Sequence, residues 1–122
     1  MSGQLEAVIK KSILQYLHTV GVFSFMYLSG GYFDPRVGRY KKVHSKLSPT
    51  GIPDILGIFS YKNVRGIFLA IEVKTSTGVV APHQKAMIEK INNIGGIAFV
   101  ARSIDDVRLK LSEKMNEIDS VT

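Results

Sequence analysis

The stretch Gly51-Ile-Pro-Asp-Ile-Leu-Gly57, taken together with Ile71-Glu-Val-Lys-Thr75, decides how this chain folds. Residues 54–60 and 66–74 are rich in the β-branched, aliphatic and aromatic residues that favour strands. The segment 61–65 between them is only long enough for a turn. The two segments therefore predict an antiparallel hairpin that belongs to a small sheet.

Charged residues lie at one end of this predicted hairpin. Glu72 and Lys74 are two positions apart, so their side chains point to the same face of a strand. Counting back from a turn centred near Asn63 and Val64 places Asp54 opposite the Glu72–Lys74 region. Two adjacent carboxylates repel each other, and a bound cation relieves the repulsion. We interpret the trio as the active site of a metal-dependent nuclease.

The composition indicates one globular domain, residues 1–122, with 45% hydrophobic residues. The sequence contains no cysteine, which excludes disulfides and thiolate metal sites. No apolar run approaches the length of a membrane span, and the N-terminal residues lack the pattern of a signal peptide. We expect a soluble, cytoplasmic protein.

The net charge of +6 and the pI of about 9.7 favour a polyanionic partner. Five of the ten acidic residues lie between positions 105 and 119. The first 104 residues hold the other five, against thirteen of the sixteen Lys and Arg. Three of those five early acids are the candidate metal ligands Glu6, Asp54 and Glu72. This distribution favours nucleic acid as the partner, although basic charge can also serve solubility alone.

Periodicity predicts three helices and two further strands around the hairpin. The whole pattern predicts a fold of the α/β (α+β) class, in the order αβββαβα, with a central mixed sheet of about four strands flanked by helices. The helices are expected at residues 4–20, 82–94 and 104–118, and the further strands at 22–28 and 97–101. The last strand lacks polar alternation, as a central or parallel strand does.

Residues 29–53 form a long segment rich in glycine and proline, which predicts an irregular functional loop. Basic side chains neutralise phosphates and aromatic rings stack on bases or sugars, so we expect nucleic acid to bind here. The alternative is a solvated loop with a few aromatics in the core. The glycines match no nucleotide-binding motif, so no nucleotide cofactor is expected. The candidate binding residues are Arg36, Arg39, Tyr40, Lys41, Lys42 and Lys46.

The motif Gly51-x-Pro-Asp-x-x-Gly57, then Glu72-Val-Lys74, Gly78 and Gln84, resembles the VRR-NUC domain of the PD-(D/E)XK nuclease superfamily. The early Glu6 fits the same pattern. The resemblance covers nearly the whole chain and is to the compact stand-alone form known from phages and bacteria. It implies a restriction-endonuclease-like core.

The resemblance also implies roles for individual residues. Asp54, Glu72, the Val73 carbonyl and Glu6 would hold Mg²⁺ or Mn²⁺, and Lys74 would orient the attacking water and stabilise the transition state. Gln84 would position the phosphate or the lysine. By position alone, Glu6 is also explained as a surface acid paired with Lys10, four residues on.

The family implies endonuclease action on branched or structured DNA, including Holliday junctions and flaps. A nuclease of 13.5 kDa needs a partner subunit to cut two strands in concert, so we expect a homodimer. One alternative is a non-catalytic DNA-binding module, and another is a small RNA-binding or ribosome-associated protein. Neither explains why Asp54 and Glu72, which repel phosphate, accompany Lys74.

Overall fold

The computed structural model describes residues 2–28, 32–41 and 49–121. Four strands form a mixed sheet in the order β1-β4-β5-β6, and two more, β2 and β3, form a separate hairpin. The predicted fold class, with the order αβββαβα around a four-stranded mixed sheet, is confirmed. The elements are α1 (Ser2–Thr19), β1 (Phe23–Met26), β2 (Tyr32–Asp34), β3 (Arg39–Lys41), β4 (Ile55–Tyr61), β5 (Val64–Val73), α2 (Pro82–Asn93), β6 (Ile97–Ala101) and α3 (Ile104–Ser120).

The central hairpin of β4 and β5 has the predicted antiparallel register. Ile55 pairs with Ile71, which places Asp54, one residue earlier, opposite Glu72. The turn consists of Lys62 and Asn63, one residue earlier in the chain than predicted, and an irregularity between Phe59 and Tyr61 offsets part of this shift. Counting from the turn therefore placed Asp54 opposite the correct region of β5, to within one residue.

The C-terminal half of β5 is buried on both faces. Leu69, Ile71 and Val73 belong to the main core cluster, which also takes in side chains of α1 and α3. Ala70 lies in a second cluster with Ile91 of α2. The two clusters match the predicted alternation of faces along this strand.

Strand β6 runs parallel to β5 at the edge of the sheet, and α2 connects the two strands. Of the two predicted alternatives for this strand, central or parallel, the parallel one is confirmed and the central one is wrong, since β6 lies at the edge of the sheet. Ser103 caps α3 by accepting a hydrogen bond from the Asp106 N–H at 3.2 Å, and the Asp106 carboxylate accepts from the Arg102 N–H at 2.8 Å. Among the described residues, no helix has both the length and the apolar character that crossing a membrane requires.

The expectation of an irregular loop over residues 29–53 is wrong for residues 32–41, which form the β2–β3 hairpin. The carbonyl of Asp34 accepts hydrogen bonds from the N–H groups of Val37 (3.2 Å) and Gly38 (2.9 Å). Gly38 has a φ of 68°, which glycine adopts without strain. The segment Asp34-Pro-Arg-Val-Gly38 is a recognisable turn between aromatic residues, and counting glycines and prolines alone obscured it. Residues 29–31 and 42–48 lie outside the described part of the chain.

Gly57, in the middle of β4, permits the close approach of β1. A Cβ atom at this position would overlap the carbonyl oxygen of Phe23 and press on Ser24. Both of those contacts are with the neighbouring strand, which cannot move away without breaking the β1–β4 ladder. The second glycine of the motif is thus a packing requirement of the sheet.

We expect Gly57→Ala to lower the free energy of unfolding by about 1–3 kcal/mol, because the added methyl group overpacks the β1–β4 contact. Urea unfolding measures the effect. The matched control is Gly3→Ala in α1, where nothing lies near the added methyl group; alanine there should stabilise the helix by up to about 1 kcal/mol. Equal effects of the two substitutions would contradict the assigned role of Gly57.

Candidate active site

Asp54 and Glu72 meet at one end of the sheet. Asp54 directly precedes β4 and Glu72 is the penultimate residue of β5, and the register places them opposite each other. Their carboxyl groups lie close enough for Asp54 to raise the pKa of Glu72. Glu72 is buried, with only 3% of its surface exposed. The predicted convergence of two acids is therefore present.

The position of Asp54 is fixed by three contacts. Its backbone carbonyl accepts a hydrogen bond from the Tyr27 N–H at 2.8 Å, which extends the β1–β4 ladder. Its side-chain Oδ2 accepts from the Val73 N–H at 2.8 Å. Its Oδ1 lies 3.5 Å from the Nζ of Lys10 on α1. The segment after β1 thus holds the backbone of Asp54, and β5 orients its carboxylate. Oδ1 faces the Lys10 side chain on α1.

Gly51 brings the segment before Asp54 against the start of α2. Its φ is 80°, and a Cβ there would lie 2.6 Å from the carbonyl oxygen of His83. Both the backbone conformation and the close approach require glycine. Pro53 follows with a fully buried side chain. The motif residues around Asp54 therefore dock this acid against α2 and the sheet.

The segment that follows Lys74 is held by Arg102, from the end of β6. The guanidinium Nη1 donates hydrogen bonds to the carbonyls of Thr75 (2.5 Å) and Gly78 (2.8 Å). A Cβ at Gly78 would lie 3.3 Å from the Cβ of Lys74, so this glycine packs closely on the stem of the lysine. The Lys74 N–H donates to the Ala101 carbonyl at 3.1 Å. Both the backbone and the side-chain stem of Lys74 are therefore held in place.

The environment raises the pKa of Glu72 to about 8. Burial of the carboxyl group is the largest cause, followed by its hydrogen bond with Asp54 and the negative charge of Asp54. The positive charge of Lys74 opposes the rise, and Glu6 adds a smaller repulsion. A proton or a bound cation is consequently needed at this pair of carboxyl groups near neutral pH.

Glu6 lies half-buried on α1, close enough to the pair for its charge to act on Glu72. Spacing along the helix would pair Glu6 with Lys10. In the structure, Lys10 forms its ion pair with Asp54 instead. Within the described part of the chain, no three His, Cys, Asp or Glu side chains form a group that could hold a metal ion. A ligand role for Glu6 stays a prediction.

Gln84 has a structural role that the sequence did not reveal. Its side-chain Oε1 accepts a hydrogen bond from the Ala81 N–H at 2.9 Å, which satisfies a free backbone donor at the start of α2. The amide NH₂ group remains as the part of the side chain that can donate to a phosphate. The predicted role of Gln84 in positioning phosphate stays a prediction that involves this group alone.

Lys10 is the site residue that sequence reasoning missed. The helical spacing suggested only a surface pair with Glu6. The available signal was that Lys10 lies one turn after Glu6 on the same face of α1. A helix that aims Glu6 at the acidic pair also brings Lys10 to it.

The candidate nucleic-acid residues of the β2–β3 hairpin differ in their contacts. The Arg36 guanidinium pairs with the buried Asp34 through Nε–Oδ1 and Nη2–Oδ2 contacts of 3.2 Å each. Arg36 therefore helps to hold the hairpin turn, although most of its side chain is exposed. Arg39 is exposed on β3, and Tyr40 and Lys41 follow it on that strand. Lys42 and Lys46 lie outside the described residues.

We expect the metal-free protein to lose stability as the pH rises, because of Glu72. In the unfolded chain this carboxyl ionises near its ordinary pKa of 4.5, whereas in the folded protein it ionises near 8. Between these values the folded state binds one more proton, so the free energy of unfolding falls with increasing pH. The stabilising contribution is complete below the lower value and lost above the higher one.

Urea unfolding in EDTA, from about pH 5 to about pH 9, measures this dependence. Glu72→Gln is the matched variant, since its amide does not ionise, and it should remove most of the fall in stability. Addition of Mn²⁺ should also flatten the profile of the unsubstituted protein. Identical profiles for the two proteins in EDTA would show that Glu72 does not carry the raised pKa.

The comparisons with known proteins agree with this geometry. The family model of the VRR-NUC domain matches residues 38–105, which is more than half of the chain. The match includes Asp54, Glu72, Lys74 and Gln84 and leaves Glu6 outside. No curated protein and no solved structure matches the chain. The chain therefore belongs to the VRR-NUC domain family, whose members are nuclease-like domains that act on DNA.

Proposed function

We propose that this protein is a metal-dependent endonuclease that hydrolyses DNA phosphodiester bonds, with branched DNA such as four-way junctions or flaps as its preferred substrate. The observation that carries the proposal is the buried Glu72 carboxyl, held beside Asp54 in a chain of a nuclease domain family. A module that only binds DNA gains nothing from two acids at this position, because they repel phosphate.

The donor set fits Mg²⁺ or Mn²⁺. Both ions prefer carboxylate and carbonyl oxygens, which Asp54, Glu72 and the Val73 carbonyl offer, with Glu6 as a further candidate. The raised pKa of Glu72 also fits, because a divalent cation replaces the proton that the pair otherwise needs. When bound, the ion supplies positive charge beside the scissile phosphate and promotes ionisation of the attacking water.

The side chains of Lys74 and Gln84 donate hydrogen bonds at the phosphate. Lys74 carries its positive charge close to Glu72, as its effect on that carboxyl shows. From this position its ammonium group donates to the attacking water or to a phosphate oxygen, where negative charge develops in the transition state. The free NH₂ group of Gln84 donates to the same phosphate from the start of α2.

Two cuts in opposite strands of a branched DNA require two active sites. Each chain contains one Asp54–Glu72–Lys74 set, so we propose that the functional form is a homodimer. An isologous arrangement would present the two sites to strands of opposite polarity.

We expect Lys74→Ala to lower the rate of cleavage by a factor of about 10² or more, because it removes a donor that acts on charge developing in the transition state. Binding of DNA should change little, since one surface-directed charge among many is lost. Cleavage assays with Mg²⁺ and with Mn²⁺, on duplex, single-stranded, flap and four-way-junction DNA, measure the effect. Lys62→Ala, at the opposite end of the β4–β5 hairpin, is the control and should cleave normally.

Several outcomes would count against the proposal. Cleavage by Lys74→Ala at the unsubstituted rate would remove Lys74 from the site. Salt-dependent DNA binding without cleavage under any metal would favour the non-catalytic DNA-binding module. Equal cleavage of duplex and branched DNA would leave the nuclease assignment intact and reject the preference for branched substrates.

We further expect the triple substitution Arg39→Ala, Lys41→Ala and Lys42→Ala to weaken DNA binding and flatten its salt dependence. Each lost phosphate contact should reduce the slope of log K against log salt by about one. Fluorescence anisotropy over a range of NaCl concentrations measures the slope. The matched control is Arg108→Ala, Lys110→Ala and Lys114→Ala on α3, where each of these residues already lies within 4 Å of an acidic partner. An unchanged slope for the first triple variant would show that these residues do not contact phosphate.

A further inference from the structure

The two oxygens of the Asp54 carboxylate have different partners. Oδ2 accepts a hydrogen bond from the Val73 backbone at 2.8 Å and is held by the sheet. Oδ1 lies 3.5 Å from the Nζ of Lys10. The Lys10 side chain is 25% exposed and that of Asp54 is 20% exposed, so this ion pair lies at the rim of the site. Of the two oxygens, Oδ1 is consequently the one that the backbone holds less firmly.

A divalent cation shared by Asp54 and Glu72 is expected to bind through this same oxygen. One lone pair of Oδ2 is occupied by the Val73 N–H, whereas within the described part of the chain Oδ1 accepts no backbone hydrogen bond and faces the Lys10 ammonium group. An ammonium group and a divalent ion at a single carboxylate oxygen repel each other strongly in a partly buried site. The two cations therefore compete for one atom.

We propose that Lys10 is an exchangeable cation of the active site. Its ammonium group holds Asp54 Oδ1 in the metal-free protein, leaves when a divalent metal binds, and then contacts the phosphate backbone of the bound DNA. The inference rests on the proposed function and adds a second lysine, besides Lys74, to the recognition of the substrate. It makes Lys10 a substrate-contacting residue that links metal binding to DNA binding.

The properties of Lys10 suit an exchange of this kind. It is carried by α1, a helix of 18 residues, so its backbone stays in place while the side chain moves. A lysine ammonium on a flexible four-carbon stem changes partner at little energetic cost. Partly exposed ion pairs contribute little stability, so a metal with two carboxylate ligands displaces the lysine readily.

The surroundings of Lys10 explain where the displaced ammonium goes. Glu6 lies one turn earlier on α1, and its charge already acts on Glu72, so this part of the helix borders the acidic pair. A phosphate that approaches the acidic pair brings negative charge within reach of Lys10. The ammonium then has an anionic partner in both states, the Asp54 carboxylate without metal and the phosphate with it.

The first test measures Mn²⁺ binding without DNA by isothermal titration calorimetry. Lys10→Met keeps the length of the side chain but removes its charge. The affinity for Mn²⁺ should therefore rise by a factor of about five or more, which is typical of coupling between two binding events. A merely structural role for Lys10 would predict the opposite, because damage to the site weakens metal binding. Lys11→Met, the next residue on the same helix, is the control and should leave the affinity unchanged, since Lys11 is exposed. Lys10→Gln provides a second neutral variant should the methionine disturb folding.

The second test measures binding of a four-way junction in a Lys74→Ala background, in which cleavage is slow enough for binding to be measured. With Mn²⁺ present, the additional Lys10→Met substitution should weaken binding and reduce the salt slope by about one. In EDTA the same substitution should have a much smaller effect, because Lys10 is then held by Asp54. Equal effects with and without metal would overturn the second step, in which the released ammonium contacts phosphate.

The outcomes separate this inference from the proposed function. If the unsubstituted protein binds no Mn²⁺, the metal site and the exchange are both rejected. If it binds Mn²⁺ and cleaves DNA, but Lys10→Met binds the ion no more tightly than Lys11→Met does, only the exchange is rejected. Tighter Mn²⁺ binding by Lys10→Met together with metal-dependent loss of DNA affinity supports both steps.

Discussion

The hydrogen bond from the Val73 N–H to Asp54 Oδ2 joins the fold to the chemistry of this protein. It forms where two antiparallel strands end, because the register that pairs Ile55 with Ile71 leaves Asp54 opposite Glu72. A shift of one residue would turn Glu72 to the other face of the sheet and into the main core cluster. The packing of Leu69, Ile71 and Val73 in the main core cluster opposes that shift, since it would move all three to the other face of the sheet, where Ala70 packs against α2. Hydrophobic packing of β5 therefore holds the two carboxyl groups together.

Holding the acids together has an energetic consequence for the protein. The side chain of Glu72 is buried next to another carboxyl group, and its pKa rises to about 8 for that reason. Apolar side chains on both faces of the sheet stabilise the fold enough to keep this unfavourable pair in place. Lys10 and Lys74 both reduce the repulsion, one through Asp54 and the other through Glu72. The site is thus arranged to receive positive charge before any substrate is present.

Local sequence patterns were sufficient to predict the main sheet, the three helices and the pairing of Asp54 with Glu72. Hydrophobic residues recur every two positions in a strand and about every 3.6 in a helix because one face is buried. Burial of one face determines where the hydrophobic residues fall in β5, α1 and α3. The pairing followed from the length of the turn alone, and the irregularity between Phe59 and Tyr61 changed it by a single position. The position of Lys74 beside the acids followed from the alternation of a strand.

The remaining features depend on contacts that a linear pattern does not contain. Lys10 reaches Asp54 because α1 packs across the sheet, which no spacing within the helix reveals. Gln84 caps its own helix because Ala81 offers no side-chain acceptor of its own. The β2–β3 hairpin was concealed among glycines and prolines, although Asp34 and Gly38 supply an ordinary turn. These are tertiary or turn-specific effects, and they concern the surroundings of the acidic pair and the β2–β3 hairpin more than the core.

The separate β2–β3 sheet has a further consequence for how such a protein diversifies. Its turn is stabilised internally, by the buried Asp34 with Arg36 and by backbone hydrogen bonds to Gly38. It lies between β1 and β4 in the chain but is not part of the four-stranded sheet that sets the Asp54–Glu72 register. Insertions or changes of charge in this hairpin therefore leave the acidic pair where it is. Selection can therefore alter the length and charge of this hairpin without moving the acidic pair.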